Sequence, residues 1–514
     1  MIRISTFVKY SFFILAVAPF PPVIAQEAPL ILTPPSPPIP QIHGPKVFGV
    51  RPGAPILYAI PATGERPIHY SADSLPAGLQ LDAATGQIQG SLSQSGTYQV
   101  VFHARNTVGQ ADRPFRIVVG EEIGLVPAMG WNSYNTYGQK VNQSQVLAAA
   151  HAMVDTGLAQ HGWSYINTDD GWQRARGGDL NAIQPDPGFP DMAGMVREIH
   201  SLGLKAGIYS TPWVTSYGRR IGGSSDDPGG KWDPSFAKAN PHDHSQKFPF
   251  AIGQYHFASP DAKQFAQWGF DYLKYDWAPI HAADTKEMYG ALRGSGRDII
   301  LSLSNNGLYT LLSEIAGVSP FANSWRTTDD VHDKWEHVSN SAFNEDAWAP
   351  FARPGHFNDP DMLVIGVIGW GHPHPTHLTP DEQYTQISMW CLLSAPLILG
   401  CDLQKLDPFT SSLITNDEVL DIDQDSLGRQ AVCVSKDGDL NVYAKPLEDG
   451  SWAVGLLNRG SAPAPAVLHW ADIHLTGPQV IRDLWRQKDV GTFDKQYSTQ
   501  VAPHGVVLIR VIPG

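Results

Sequence analysis

The chain has 514 residues, with 36 Lys+Arg against 50 Asp+Glu and a formal net charge of −14 at pH 7. Hydrophobic residues make up 42% and charged residues 17%, which excludes a disordered chain; the length points to about three domains. No run of five like charges occurs, and phosphate contacts need clustered cations, so a nucleic-acid binder is excluded too. The 15 tryptophans leave two readings open: indole faces that stack on sugars, or a large core that buries them.

Residues 1–25 read as a signal peptide. Arg3 and Lys9 form the basic start, residues 12–18 the apolar core, and Ala25 precedes a cut before Gln26. The apolar run is too short to span a bilayer and is broken by Pro19, Pro21 and Pro22. A secreted or periplasmic protein is expected, free of the membrane once the signal is removed. Residues 26–45 are proline-rich and read as a semi-rigid linker.

Residues 46–120 alternate apolar and polar positions between turn signals such as Thr85-Gly86 and Ser95-Gly96, the pattern of a small β domain. They resemble immunoglobulin-like modules of bacterial exported proteins. No reactive cluster is visible there, so a spacer or a weak ligand-binding module is expected.

Over 122–428 short apolar runs alternate with helical segments. Eight candidate strands fall at 126–132, 164–169, 205–210, 271–276, 299–304, 321–326, 356–361 and 396–401. Eight such alternations predict a (β/α)8 TIM barrel. Residues 430–514 return to strand patterns and predict a C-terminal antiparallel β-sandwich domain. Only Cys391, Cys401 and Cys433 exist, which rules out a disulfide framework and leaves one bridge open.

The candidate strands end in polar or acidic residues: Trp131-Asn132, Asp169-Asp170, Tyr209-Ser210, Lys274-Tyr275-Asp276, Trp325-Arg326 and Asn358-Asp359-Pro360-Asp361 among them. Barrel strand ends converge on one mouth. One such acid is readily a helix cap; several converging acids repel each other and need another reason. Clustered carboxylates serve glycosidases as nucleophile and acid, or hydrolases as metal ligands. The metal reading has His356 near Asp359, and the loop holding His372, His374 and His377, whose prolines make a compact ligand set awkward. No metal or cofactor is expected. The glycosidase reading centres on Asp276 and Asp330. Lys274, two residues before Asp276 on the same strand face, is expected to keep it ionised.

These residues resemble glycoside hydrolase family 27, the α-galactosidase family. The similar motifs are collinear: residues 126–134 (VPAMGWNSY), 165–172 (YINTDDGW), 203–210 (GLKAGIYS), 272–276 (YLKYD), 325–328 (WRTT), 358–363 (NDPDML) and 421–428 (DIDQDSLG). The resemblance implies a retaining hydrolase with Asp276 as nucleophile and Asp330 as acid/base. It implies sugar contacts from Asp169, Asp170, Tyr209, Lys274, Arg326 and Asp361, with Trp131 and Tyr134 on the pocket wall. Asn305 stands where the family usually has a Glu that reads the 2-position. Tyr217 and Ala278 stand where it usually has a cysteine pair. The expected substrate is a terminal α-D-galactoside. The alternatives are an α-N-acetylgalactosaminide, a β-L-arabinopyranoside or, in another class, a non-catalytic carbohydrate-binding protein. Oligomeric state is left open.

Overall fold

A computed structural model describes residues 30–239, 247–304 and 312–514; the segment read as a signal peptide lies outside them. Its centre is an eight-stranded parallel sheet. The strands are β1 Met129–Asn132, β2 Tyr165–Asn167, β3 Lys205–Ser210, β4 Tyr272–Asp276, β5 Ile300–Ser304, β6 Ser324–Arg326, β7 Phe357–Asp359 and β8 Leu397–Leu399. They run in the order β7-β6-β5-β4-β3-β2-β1-β8. The barrel closes just past β7: Leu363 N–H donates to Ile398 O (2.8 Å), and its carbonyl accepts from Gly400 N–H (3.1 Å). All eight strands fall within the expected spans. They are buried on both faces, which is why they read as apolar runs rather than alternating ones.

The covering helices are α1 Gln143–Asp155, α2 Met192–Ser201, α3 Ala258–Trp268, α4 Ala282–Arg293, α5 Ile315–Val318, α6 Trp335–Ala342, α7 Pro380–Leu393 and α8 Asp417–Asp423. Local sequence sets several starts. Asn142 with Gln145, and Thr379 with Glu382, form reciprocal capping boxes at α1 and α7, and Pro380 opens the first turn of α7. Residues 382–393 of α7 are all buried, because this helix is sandwiched between the barrel and the C-terminal domain. Across that seam Lys445 Nζ donates to Cys391 O (2.8 Å) and Ser394 Oγ (2.6 Å), and Trp485 Nε1 donates to Ser388 Oγ (2.9 Å).

The C-terminal domain pairs a six-stranded antiparallel sheet with a two-stranded one, Ala464–His469 against Gln496–Val501. The N-terminal module packs a four-stranded sheet on a three-stranded one around Phe102, Phe115 and Tyr58. Tryptophan richness is largely a core property: seven of the largest fully buried side chains are Trp131, Trp163, Trp172, Trp277, Trp325, Trp390 and Trp485. All three cysteines are free, with Cys391 and Cys401 buried. Among the described residues no helix is long and apolar enough to cross a membrane.

The N-terminal module is docked rather than tethered. Arg51 ion-pairs with Asp298 and donates to the carbonyls of Arg293 (2.9 Å) and Arg297 (2.8 Å). Arg113 bonds Asp421 (3.1 Å), Arg116 bonds Glu448 (2.5 Å), and the Lys205 ammonium lies 4.7 Å from the Phe48 ring. The proline-rich stretch also lies on the barrel: Leu32 N–H donates to Tyr384 Oη (3.1 Å), and Thr33 Oγ1 to Ser412 O (2.8 Å). The module sits at the N-terminal ends of the strands, where Lys205 opens β3 and Asp298 precedes β5. The acidic strand ends are on the opposite face. Arg51→Ala is therefore expected to lower the thermal unfolding midpoint and to expose the 46–120 region to limited proteolysis. The cost is on the order of 3–5 kcal/mol, as for removing one partner of a largely buried pair. Turnover should stay unchanged.

Candidate active site

At the C-terminal ends of the strands, six carboxylates surround two cations. Lys274, on β4, donates through Nζ to Asp169 Oδ2 (2.9 Å). Asn132, at the end of β1, donates to the same oxygen (2.7 Å), and Asp170 N–H donates to the other (2.8 Å). Asp169 N–H is held by Ser133 Oγ (2.9 Å). Asp170 is held from the segment between β3 and α3: Ser216 Oγ donates to Oδ1 (2.9 Å) and Gly218 N–H to Oδ2 (2.6 Å). A Cβ on residue 218 would meet that carboxylate oxygen at 2.6 Å, so only glycine lets its N–H approach. Trp213 anchors the same segment, edge-on to Tyr217 (5.0 Å) and Phe250 (5.9 Å).

Arg326, the last residue of β6, bridges two acids. Nη1 reaches Asp361 Oδ1 (2.9 Å), and Nη2 donates to Asp330 Oδ1 (3.1 Å). Asp361 has φ +83°, a left-handed conformation that costs a non-glycine residue about 1–3 kcal/mol. Its surroundings hold it there. Asp361 N–H donates to Asp359 Oδ1 (2.9 Å), Oδ2 accepts from Val331 N–H (2.8 Å), and its carbonyl accepts from Trp390 Nε1 (2.6 Å).

Asp276 ends β4 and is 9% exposed, whereas the Asp330 side chain is 74% exposed on the loop after β6. The expectation that Lys274 keeps Asp276 ionised is corrected. Burial pushes Asp276 up to about 7 and outweighs the pull of Lys274, whose ammonium is spent on Asp169. At Asp330 the balance reverses: desolvation is outweighed by Arg326 and Lys274, which hold the carboxyl below the usual range. Burial also raises Asp170 and Asp359 to about 6. Tyr209 Oη is buried, feels Asp276, Asp170 and Asp169, and has no hydrogen-bond partner among the described residues.

The structure thus gathers Asp169, Asp170, Tyr209, Lys274, Asp276, Arg326, Asp330 and Asp361 in one mouth. Tyr134 lies at its side, half-buried, with the Lys274 ammonium 5.9 Å from its ring. Trp131 is not on the pocket wall: it is fully buried, its Nε1 donating to Cys401 O (2.8 Å). Asn305 lies outside the described residues. His356 is structural, between Ala322 O (2.8 Å) and Glu122 (2.9 Å). His374 and His377 stack at 4.7 Å beside Asp333, three residues beyond Asp330. Asn132 is legible only as a polar strand end, and Ser133, Ser216 and Gly218 carry no charge that marks them in the sequence. Glu345, which no motif marks, lies buried behind β6 and accepts from Thr327 Oγ1 (2.8 Å).

A (β/α)8 barrel whose mouth gathers paired carboxylates around a lysine and an arginine defines a glycosidase. The family profile described as alpha galactosidase A matches residues 127–220 and 242–425; its C-terminal β-sandwich profile matches 437–511, and an Ig-domain profile matches 40–120. Alpha-galactosidase 2 of Arabidopsis thaliana is 36% identical over 76% of this chain and 90% of its own. A Bacteroides fragilis crystal structure, solved as a proposed α-galactosidase, superposes with TM-score 0.81 at 30% identity, over 92% of this chain and 98% of that one. A Geobacillus stearothermophilus β-L-arabinopyranosidase of family 27 superposes with TM-score 0.65 at 26% identity, over 76% of this chain and 97% of its own. The chain belongs to glycoside hydrolase family 27, the α-galactosidase family.

The raised acids also set a stability trend. An acid whose folded pKa exceeds its unfolded value near 4 holds its proton in the native state only, so its contribution falls as pH rises through the folded value. Asp276→Asn mimics the protonated carboxyl. The variant is expected to be more stable than the parent at pH 8, by on the order of 1–3 kcal/mol, with the gap clearly narrower at pH 5 and closing only below about pH 4. Urea unfolding at the two pH values measures this; an equal gap at both would contradict it.

Proposed function

We propose that the protein hydrolyses terminal α-D-galactosides with retention, Asp276 acting as nucleophile and Asp330 as acid/base. The observation that supports this best is the contrast between the two acids. Asp276 is deep, at a rigid strand end beside Lys274; Asp330 is exposed on a loop and held by Arg326. A nucleophile needs a fixed position beneath the sugar ring, and an acid/base must reach the glycosidic oxygen from the solvent side and later activate water. Asp276 attacks the anomeric carbon as Asp330 gives its proton to the leaving oxygen. Water, deprotonated by Asp330, then opens the glycosyl ester. Asp169 and Asp361, each paired with a cation, and the unpartnered Tyr209 hydroxyl offer hydrogen bonds to the sugar. The segment at 1–25 supports export to the periplasm or medium.

A second substrate reading rests on Asp170. Both its oxygens already accept bonds from Ser216 and Gly218, which reduces what it offers a hydroxymethyl group. A β-L-arabinopyranoside, which lacks that group, fits the same mechanism.

Aryl α-D-galactopyranoside, aryl α-N-acetylgalactosaminide and aryl β-L-arabinopyranoside are the substrates to compare, with proton NMR following the first anomer released. Retention is expected on at least the galactoside; an inverted product would overturn the mechanism. Asp276→Asn should lose at least about 10³-fold in kcat while still binding galactose. Asp330→Ala should slow poor leaving groups far more than activated aryl ones; equal losses would argue against the acid role. Since the first step needs Asp276 ionised and Asp330 protonated, and Asp330 is held below the usual carboxylate range, kcat/KM of the parent should stay level in mildly acidic solution and fall as pH rises above about 7.

A further inference from the structure

Among the described residues, two clusters of imidazoles and a carboxylate lie outside the mechanism: Asp333 with His374 and His377 at the rim, and His43 with His161 and Asp417 where the N-terminal module meets the barrel. They differ in geometry. At the rim, His377 Nδ1 is 2.7 Å from Asp333 Oδ2, but His374 Nδ1 is 3.9 Å away and turned to Pro375 O (2.9 Å). The His377 side chain is 67% exposed. At the junction, His161 Nδ1 and His43 Nδ1 approach the same oxygen, Asp417 Oδ1, at 2.8 and 3.3 Å. All three side chains are less than one-fifth exposed.

We propose that His43, His161 and Asp417 form a binding site for one divalent transition metal of the zinc class, fastening the N-terminal module to the barrel. Two imidazoles and a carboxylate are a donor set that suits zinc, cobalt or nickel. With metal–ligand bonds of about 2.0–2.1 Å, tetrahedral ligand atoms sit roughly 3.3 Å apart. The observed 2.8 and 3.3 Å to the carboxylate oxygen need at most about half an ångström of opening, and all three ligand atoms lie within 4.8 Å of one another. The two rings lie 19° from parallel with centroids 5.6 Å apart, so both turn the same edge toward Asp417.

The ligands come from three separate stretches of chain, and each is positioned by its own backbone. His43 follows the two-residue strand Gln41–Ile42, and its N–H donates to Pro61 O (2.9 Å). His161 ends a short 3-10 turn after α1. Asp417 is the first residue of α8, whose cap is Asn416. Thr63 Oγ1, itself buried, lies 2.7 Å from His43 Nε2. When Nε2 donates to that hydroxyl, the bare Nδ1 faces a carboxylate oxygen, which a cation reconciles; metal-bound histidines are commonly oriented through their second nitrogen in this way. The neighbouring Arg113 is paired with Asp421 (3.1 Å). Three protein ligands leave the fourth position to water.

The test uses the full-length protein, stripped of metal with a chelator that is then removed, and titrated with cobalt(II). One equivalent should give the visible absorption of four-coordinate cobalt, displaced by zinc, and zinc should raise the thermal midpoint. Both effects should vanish in His43→Gln and in Asp417→Asn, and both should persist in His377→Ala, with turnover unchanged in His43→Gln. No cobalt band at millimolar metal, a band that survives His43→Gln, or one lost in His377→Ala would overturn the proposal. Should the junction variants fail to fold, anomalous scattering from zinc-soaked crystals of the unaltered protein decides. A peak between the three side chains supports the site, and none overturns it.

Discussion

Two buried cations hold the catalytic mouth together. Lys274 and Arg326 stand among Asp169, Asp170, Asp276, Asp330, Asp359 and Asp361, and neither is free: one is spent on Asp169, the other on Asp361 and Asp330. Like charges this close cannot all ionise at ordinary cost, so the surplus appears as raised carboxyls at Asp276, Asp170 and Asp359. The mouth is electrostatically strained in the absence of sugar. Polar hydroxyls and a developing positive charge at the anomeric carbon are what such a site accommodates best. Function is set against stability here, and the rest of the molecule has to hold the strained face in place.

The holding is done from the barrel's outside and from its far end. The C-terminal domain covers α7, whose Trp390 donates to the backbone of Asp361 and supports its left-handed turn. The N-terminal module closes the opposite end through Arg51 and Arg113, and Arg116 ties it to Glu448 of the C-terminal domain. Neither β domain supplies a side chain to the mouth described here. Their contribution is rigidity at strand ends that converge from several directions, where small displacements are costly to catalysis.

Much of this was legible from the residues. The eight strands could be read because parallel strands buried on both faces are apolar throughout and stop at polar ends. The collinear motifs then named the carboxylates. What could not be read depends on partners distant in sequence. Trp131 looks like a pocket wall from its motif, yet Cys401, 270 residues away, takes its N–H. Lys274 looks like the keeper of Asp276 from strand periodicity, yet Asp169 captures it. The stretch read as a linker lies on the barrel because Tyr384 and Ser412 receive it. His43 sits in that stretch without any local signal, and its importance appears only when Asp417 and His161 are brought beside it. Uncharged supports such as Ser216 and Gly218 have no sequence signature, since a backbone N–H is offered by almost every residue.

The central claim is that Asp276 forms the covalent bond to the sugar. The most direct measurement is to incubate the protein with an activated 2-deoxy-2-fluoro-α-galactosyl donor, which slows release of the glycosyl enzyme, and to map the adduct by peptide mass spectrometry. One fluorosugar per chain, ester-linked to Asp276, is the expected result. An adduct on a different carboxylate, with Asp276 unmodified, would contradict the account.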